Sequence, residues 1–433
     1  MGEPVLITDL TLFLTAVLSV MTFVLPRKYV LVPYVIGACW VPADQTVMVG
    51  ELDFQVLRIL IVVGILRLWT RGEIVTVRWN RFDKLFLAWV IVGSIIYVMQ
   101  WRSMGAILYK SGQMLNSLGL YWIFRQSIRS WEDVRIASLA AAVCAVGMAP
   151  FVALEWASGS NPFGALGRVT TFLRDGNFRS QATFPHAIMM GLFWATLVPL
   201  FVGFARQGHK VLFWLAVAAS TFMIFGSNSS TPLLTLLIVG GLQATYRWRR
   251  YAGQGAWMFL AGLVALHIVM KAPVWHLLSR VSVVSGSTGW HRYYLVDNAI
   301  MHFSEWMVLG TRSTAHWGHG MVDVTNQYVL EGVRGGFVTL VLFCALLIIA
   351  GRAFARLAVR ASDKKESYFA WCGFVCLIGH CVSFLGVAYF GQIILVWYLL
   401  LAIAGFCYTK AHAKTRTVAT KTPARSRVSY SYR

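Results

Sequence analysis

The chain has 433 residues, of which 58% are hydrophobic, 14% aromatic and only 13% charged. A soluble surface needs more charge, so an array of water-soluble domains is excluded. The net charge of +21 does not indicate nucleic-acid binding either, because the Lys and Arg residues sit in short connectors between apolar runs and in the C-terminal stretch.

Taken in chain order, the first apolar run, about Val5 to Leu25, lacks the basic start of a cleaved signal and is followed by Arg27 and Lys28. Its N-terminus is therefore expected outside. Further spans are expected near Val30 to Val41, Phe54 to Trp69, Leu85 to Trp101, Met104 to Phe124, Ile136 to Trp156 and Ala187 to Phe204. Val211 to Phe225, Thr231 to Tyr246, Ala256 to Val269, Phe337 to Gly351, Tyr368 to Val387 and Ile393 to Tyr408 complete the series. The fold class is thus an all-α polytopic membrane protein with about 12 to 13 transmembrane helices, each covering a hydrocarbon core about 30 Å thick.

Alternating sides along this series collects basic residues from Arg27 through Arg125, Arg249 and Lys365 in the inward connectors, as cytoplasmic segments should. The membrane domain is expected over 1–408. Residues 409–433, basic and without an acid, read as a disordered cytoplasmic tail attracted to anionic lipid. The seven cysteines lie inside apolar runs without a CxxC pair, so no disulfide framework is implied, and Cys372, Cys376 and His380 on one helix face read as packing.

Two long outer loops, about 157–186 and 271–336, break the charge rule by carrying arginines on the outer side. Loops of such length in a compact protein are usually functional. In the first, Arg174, Arg179 and His186 approach a membrane helix, and Pro185 disfavours helix at Phe184. A guanidinium beside a helix N-terminus suits a diphosphate, since forked hydrogen bonds and the helix dipole act together. Arg58, Arg102 and Lys110 come from other spans at the same depth and are expected to join Arg179 in a cationic cradle. Each is also compatible with snorkelling or structural pairing.

The second loop opens with an amphipathic helix, His291, Asn298, His302 and Glu305 on one face and Val296, Ala299, Ile300 and Phe303 on the other. It is expected to lie at the membrane interface. Arg292 and Arg312 belong to this loop. His316 and His319 have HxxH spacing, but zinc needs a further ligand that the sequence does not fix. Asp323, His316, His319 and His302 are candidate general bases, while Asp323 also reads as a plain helix N-cap.

The pattern Phe178, Arg179, Phe184, His186 and the Gly-rich segment ending Asp323-Val-Thr-Asn-Gln-Tyr328 before Glu331 and Gly332 resemble the O-antigen polymerase and O-antigen ligase superfamily (Wzy and WaaL types), more closely its exopolysaccharide polymerase members. The resemblance implies a glycosyltransferase-C-like fold with a large periplasmic loop in the bacterial inner membrane. It further implies an undecaprenyl-diphosphate-linked glycan as donor and acceptor, with flippase and chain-length regulator proteins as partners. Ligases of the superfamily typically carry a His-Asn pair where this chain has Thr325-Asn326. Arg179, then Arg292 and Arg312, are expected to stabilise the departing diphosphate. Guanidinium groups can neutralise it, so neither metal nor cofactor is expected. The competing readings are a ligase, a polysaccharide or lipid flippase, and a non-enzymatic membrane subunit.

Overall fold

The computed structural model describes residues 5–49, 52–75, 79–167, 172–174, 176–280 and 289–419. It is all-α apart from two small sheets, as a membrane requires of a chain whose backbone polar groups must be satisfied within each segment. Strand β1 (Val5–Leu6) leads into α1 (Asp9–Val24), capped by Thr8, and α2 (Val32–Trp40) follows. Strands β2 (Gln45–Val49) and β3 (Leu52–Gln55) pair antiparallel with Thr46 opposite Gln55, and β1 adds to β2 in parallel.

Helices α3 (Val56–Thr70), α4 (Arg81–Trp101) and α5 (Met104–Met114) come next; a π-helical turn, Leu115–Gly119, joins α5 to α6 (Leu120–Ser127). Reciprocal capping boxes at Asn80/Asp83 and Ser130/Asp133 start α4 and α7 (Trp131–Ser158), satisfying amides that the helix itself leaves open. The hairpin β4 (Phe172–Arg174) and β5 (Asn177–Arg179) precedes α8 (Ala187–Ala205), α9 (Lys210–Gly226), α10 (Ser230–Ala244) and α11 (Ala252–Val269). Short α12 (Leu277–Arg280), α13 (Gly289–Met301) and α14 (Phe303–Trp306) lead to α15 (Gln327–Arg360), α16 (Lys364–Gly386) and α17 (Ile393–Ala419).

Seven helical stretches among the described residues are long and apolar enough to cross a membrane, and α1 and α9 are shorter apolar helices. The chain is an all-α membrane protein. The thirteen expected spans are too many in one clear respect. α2 has nine residues, a rise of roughly 14 Å, which cannot cross a core about 30 Å thick. Ser230–Val269 forms one of the seven stretches, yet a 3-10 turn at Thr245–Tyr251 reverses it. Arg249 in that turn donates to Ala358 O at the end of α15, while α11 runs on to the region of α12 and α13. No residue of α11 is buried.

The bundle has two unlike ends. At one, residues of the basic connectors and tail meet acids, Arg27 pairing with Asp133, Arg125 with Asp83 and Lys410 with Glu366, and Arg67 near the end of α3 pairs with Glu73. Asn80 reaches Gly405 and Thr409, and Arg129 reaches Glu73 O, which ties α3, α4, α7 and α17 together. α17 continues to Ala419, so residues expected as the start of a tail are helical, while 420–433 lie outside the described residues.

At the other end, residues 289–326 fold over the bundle as a cap with its own small core, Leu295, Ala299, Trp306, Trp317 and Met321 against Val333 of α15. α15 is broken where Gly336 takes φ +70°, ψ 176°. Phe337 N donates there to Met307 O of the cap. A side chain at 336 would stand 2.4 Å from Val308 O, so glycine is required by space as well as by dihedral angle.

Candidate functional site: a cationic cavity under the cap

Between the cap and the bundle lies a cavity of about 750 Å³, within the range of small-molecule sites. Four guanidiniums line it: Arg179, Arg292, Arg312 and Arg334. Asp323 is the one carboxylate among its described lining residues.

Arg179 ends β5, and the turn after it is clamped from below. Glu155, fully buried in α7, accepts from Gln181 N and from Ala182 N (2.8 Å), while Ser180 N donates to Gly226 O. A carboxylate holding backbone amides is a strong, charge-assisted restraint. It fixes the guanidinium, which is 7% exposed, to donate through Nε to Ser227 O (3.2 Å) and through Nη2 to Ser229 Oγ. Arg292, 8% exposed on the inner face of α13, donates to Gly386 O at the end of α16. Arg312 donates to Gln100 O (2.9 Å) and lies 5.9 Å above the Trp101 ring. Arg334, in the first part of α15, donates to Tyr109 Oη.

Helix starts add to this positive wall. His186 caps α8 by accepting from Ile188 N through Nδ1 (3.1 Å), so the neutral ring carries its proton on Nε2 and presents a donor. Asn228, Ser229 and Ser230 bring the start of α10 to the cavity. Asn326 caps α15 next to lining Thr325. Backbone N–H groups and the positive dipole end make each such start favourable to an anion. Across the cavity, Tyr97, Trp101 and Tyr109 of α4 and α5 make an aromatic wall with ring centroids 5.7 to 6.0 Å apart.

The sequence expectations divide. Arg179, Arg292, Arg312, His186 and Asp323 are brought together at one cavity. Asp323 is exposed and is not the N-cap of α15, a role that falls to Asn326; its carbonyl faces His291 Nε2 at 3.2 Å. Arg58, Arg102 and Lys110 do not line the cavity. Arg58 lies against α5, where a Cβ on Gly112 would stand 2.8 Å from its Nη2. Arg102 closes α4 in the left-handed region (φ +47°) and points to solvent. Lys110 donates to Gln113 Oε1 and sits over the Tyr97 ring. None of the three is a lining residue, although Lys110 stands directly behind Tyr97 and Gln113, which are. The side chain of Arg174 lies outside the described residues.

His316 and His319 are exposed on the cap and do not line the cavity. His316 Nε2 meets Glu305 at 2.7 Å, and Trp317 Nε1 donates to the same carboxylate oxygen. The His316 contact, followed by that of Trp317, holds the Glu305 carboxyl below the usual carboxylate range. Among the described residues no three His, Cys, Asp or Glu side chains are grouped to hold a metal.

The expected faces of α13 are also corrected. Arg292, Leu295, Asn298 and Ala299 turn inward, whereas Trp290, Tyr294, Ile300 and Met301 are exposed. The cap core selects this rotation, since Leu295 and Ala299 pack on Trp306 and Trp317.

Sequence reasoning did not select Arg334, the start of α10 or the aromatic wall as site residues. The run Ser227-Asn-Ser-Ser-Thr-Pro232 between two apolar stretches does carry the composition of a helix start, and was a usable signal. No model of a known protein family matches the chain, and no curated protein matches it either.

Proposed function

We propose that this protein transfers a glycan from a polyisoprenoid diphosphate carrier, such as undecaprenyl diphosphate, to a hydroxyl of a second lipid-linked repeat unit, building exopolysaccharide or O-antigen. The observation that carries the reading is the cavity itself, with four arginines and several helix starts against a single described carboxylate. Such a wall suits a diphosphate, and preorganised donors stabilise charge as it develops there. The aromatic wall opposite suits the apolar faces of sugar rings. Distribution of the arginines favours two phosphorylated ligands over one: Arg179 and Arg292 are held by α10 and α16, whereas Arg312 and Arg334 are held by α4 and α5.

In the proposed step the bond from the sugar C1 to the phosphate oxygen breaks, its electron pair leaving with the diphosphate. A new bond forms from C1 to the acceptor oxygen, and Asp323 takes the acceptor's proton. His186 presents an N–H to the leaving group. We place the basic end in the cytoplasm by the positive-inside rule and the cavity at the periplasmic face of the bacterial inner membrane.

The test supplies purified protein with a synthetic lipid-diphosphate repeat unit. A ladder of polymers supports the polymerase. One transfer to another acceptor assigns a ligase, and transport without transfer assigns a flippase.

A further inference from the structure

From the exposed side of the cap we infer a second interaction surface, independent of the cavity: the cap is seated in the bilayer, with α13, α14 and the following turn dipping among lipid chains. Trp290 and Met301 are each 65% exposed and Val308 is 64% exposed. Tyr294, Ile300, Phe303 and Met307 are exposed beside them. A patch of this extent is costly in water and marks a contact surface.

Its occupant follows from continuity. Phe303 packs edge-on against Phe337 at 5.5 Å, and Phe337 N donates to Met307 O, so the patch runs without interruption onto exposed Phe337, Val338 and Val341 of α15. These lie in Gln327–Arg360, a stretch long and apolar enough to cross a membrane, and are exposed on its outer surface, where such a stretch meets lipid. A surface that continues a lipid-facing helix has lipid as its neighbour. Most exposed residues in the remainder of the cap are polar, among them Glu305, Arg312, His316, His319 and Asp323, with Val322 on the cavity side the main apolar exception. Trp290 and Tyr294 are the amphipathic rings that settle at headgroup level. An interfacial helix sinks its apolar face about 5 to 10 Å into the headgroup boundary. Arg292 projects from the opposite face of α13, about one helix diameter away, or roughly 10 Å. Lipid contact thus sets the depth at which that guanidinium waits.

The experiment uses the full chain in phospholipid nanodiscs. A bimane fluorophore is attached at Met301→Cys, Val308→Cys or His319→Cys, with the unsubstituted chain as background for the native cysteines. We expect 301 and 308 to lose fluorescence to a nitroxide carried on a lipid chain and to resist aqueous iodide, and 319 to show the reverse. Iodide quenching at 301 and 308 overturns the proposal. Shielding from both quenchers also overturns it, because protein then covers the patch. Adding Met301→Glu to the Val308 reporter should shift its quenching from lipid to iodide while the protein keeps its elution volume; an unchanged pattern overturns the apolar face as the anchor. None of these positions lines the cavity, so loss of glycan transfer and loss of lipid contact are separable.

Discussion

Arginine does different work at the two ends of this bundle. At the basic end Arg67 is fully buried, grips Glu73 with both Nε and Nη2 at 2.8 Å and gives Nη1 to Thr22 O. Arg125 is likewise held by Asp83, and Arg27 by Asp133. In the cavity, four guanidiniums are aimed by carbonyls and hydroxyls of the surrounding helices, and one carboxylate is described among the lining residues. Pairing with a carboxylate neutralises the charge and turns an arginine into a structural tie. Aiming by neutral oxygens orients the fork towards the cavity.

The sharpest way to break this comparison is Glu73→Gln. It strands the buried Arg67 charge and should cost about 3 kcal/mol of stability, read as a lower unfolding midpoint in detergent, with lipid-diphosphate affinity unchanged. Because Arg67 holds the Glu73 carboxyl below its usual range, this stabilisation is complete above the unfolded carboxylate pKa and is lost as pH falls through the lowered folded value. A flat acid limb in wild-type stability would refute the tie.

Arg179→Ala should do the opposite. Transfer should fall by about 10²-fold or more, with the protein still reaching the membrane; wild-type polymer length from that variant removes Arg179 from the mechanism. Ser229→Ala deletes the hydroxyl that aims Arg179 and should weaken transfer roughly tenfold, the worth of one hydrogen bond to a charged group. Equal activity would mean that Arg179 is aimed without this hydroxyl.

The smallest effect concerns the cap. With its carboxyl below the usual range, Glu305 should keep its contact with His316 through weak acid and release it only as pH drops through that lowered value. Amide exchange around 315–317 should accelerate at that point, and Glu305→Gln should abolish the transition.

How much of this was legible in the sequence depends on whether a property runs along the chain or around it. Position along the bundle is legible: connector charge gathers Arg27, Arg125 and Arg249 at one end, and alternation of the apolar spans puts Arg179, Arg292 and Arg312, against the charge rule, at the other. Azimuth is not. Arg58, Arg102 and Lys110 come from the same end and yet do not line the cavity, Lys110 standing just behind lining Tyr97 and Gln113, and the faces of α13 depend on Trp306 and Trp317, which set its rotation. Arg334 reaches the cavity because α15 begins at Gln327, inside the segment 271–336 that the apolar pattern assigns to a loop.

The break in α15 leaves a signature that outlasts any particular substrate. Position 336 combines a backbone conformation closed to residues bearing a Cβ with a carbonyl that occupies the space such an atom would need. Other chains built on this plan are free to drift in cap, tail and cavity, but should retain glycine there, which gives a searcher one small letter by which to recognise the design.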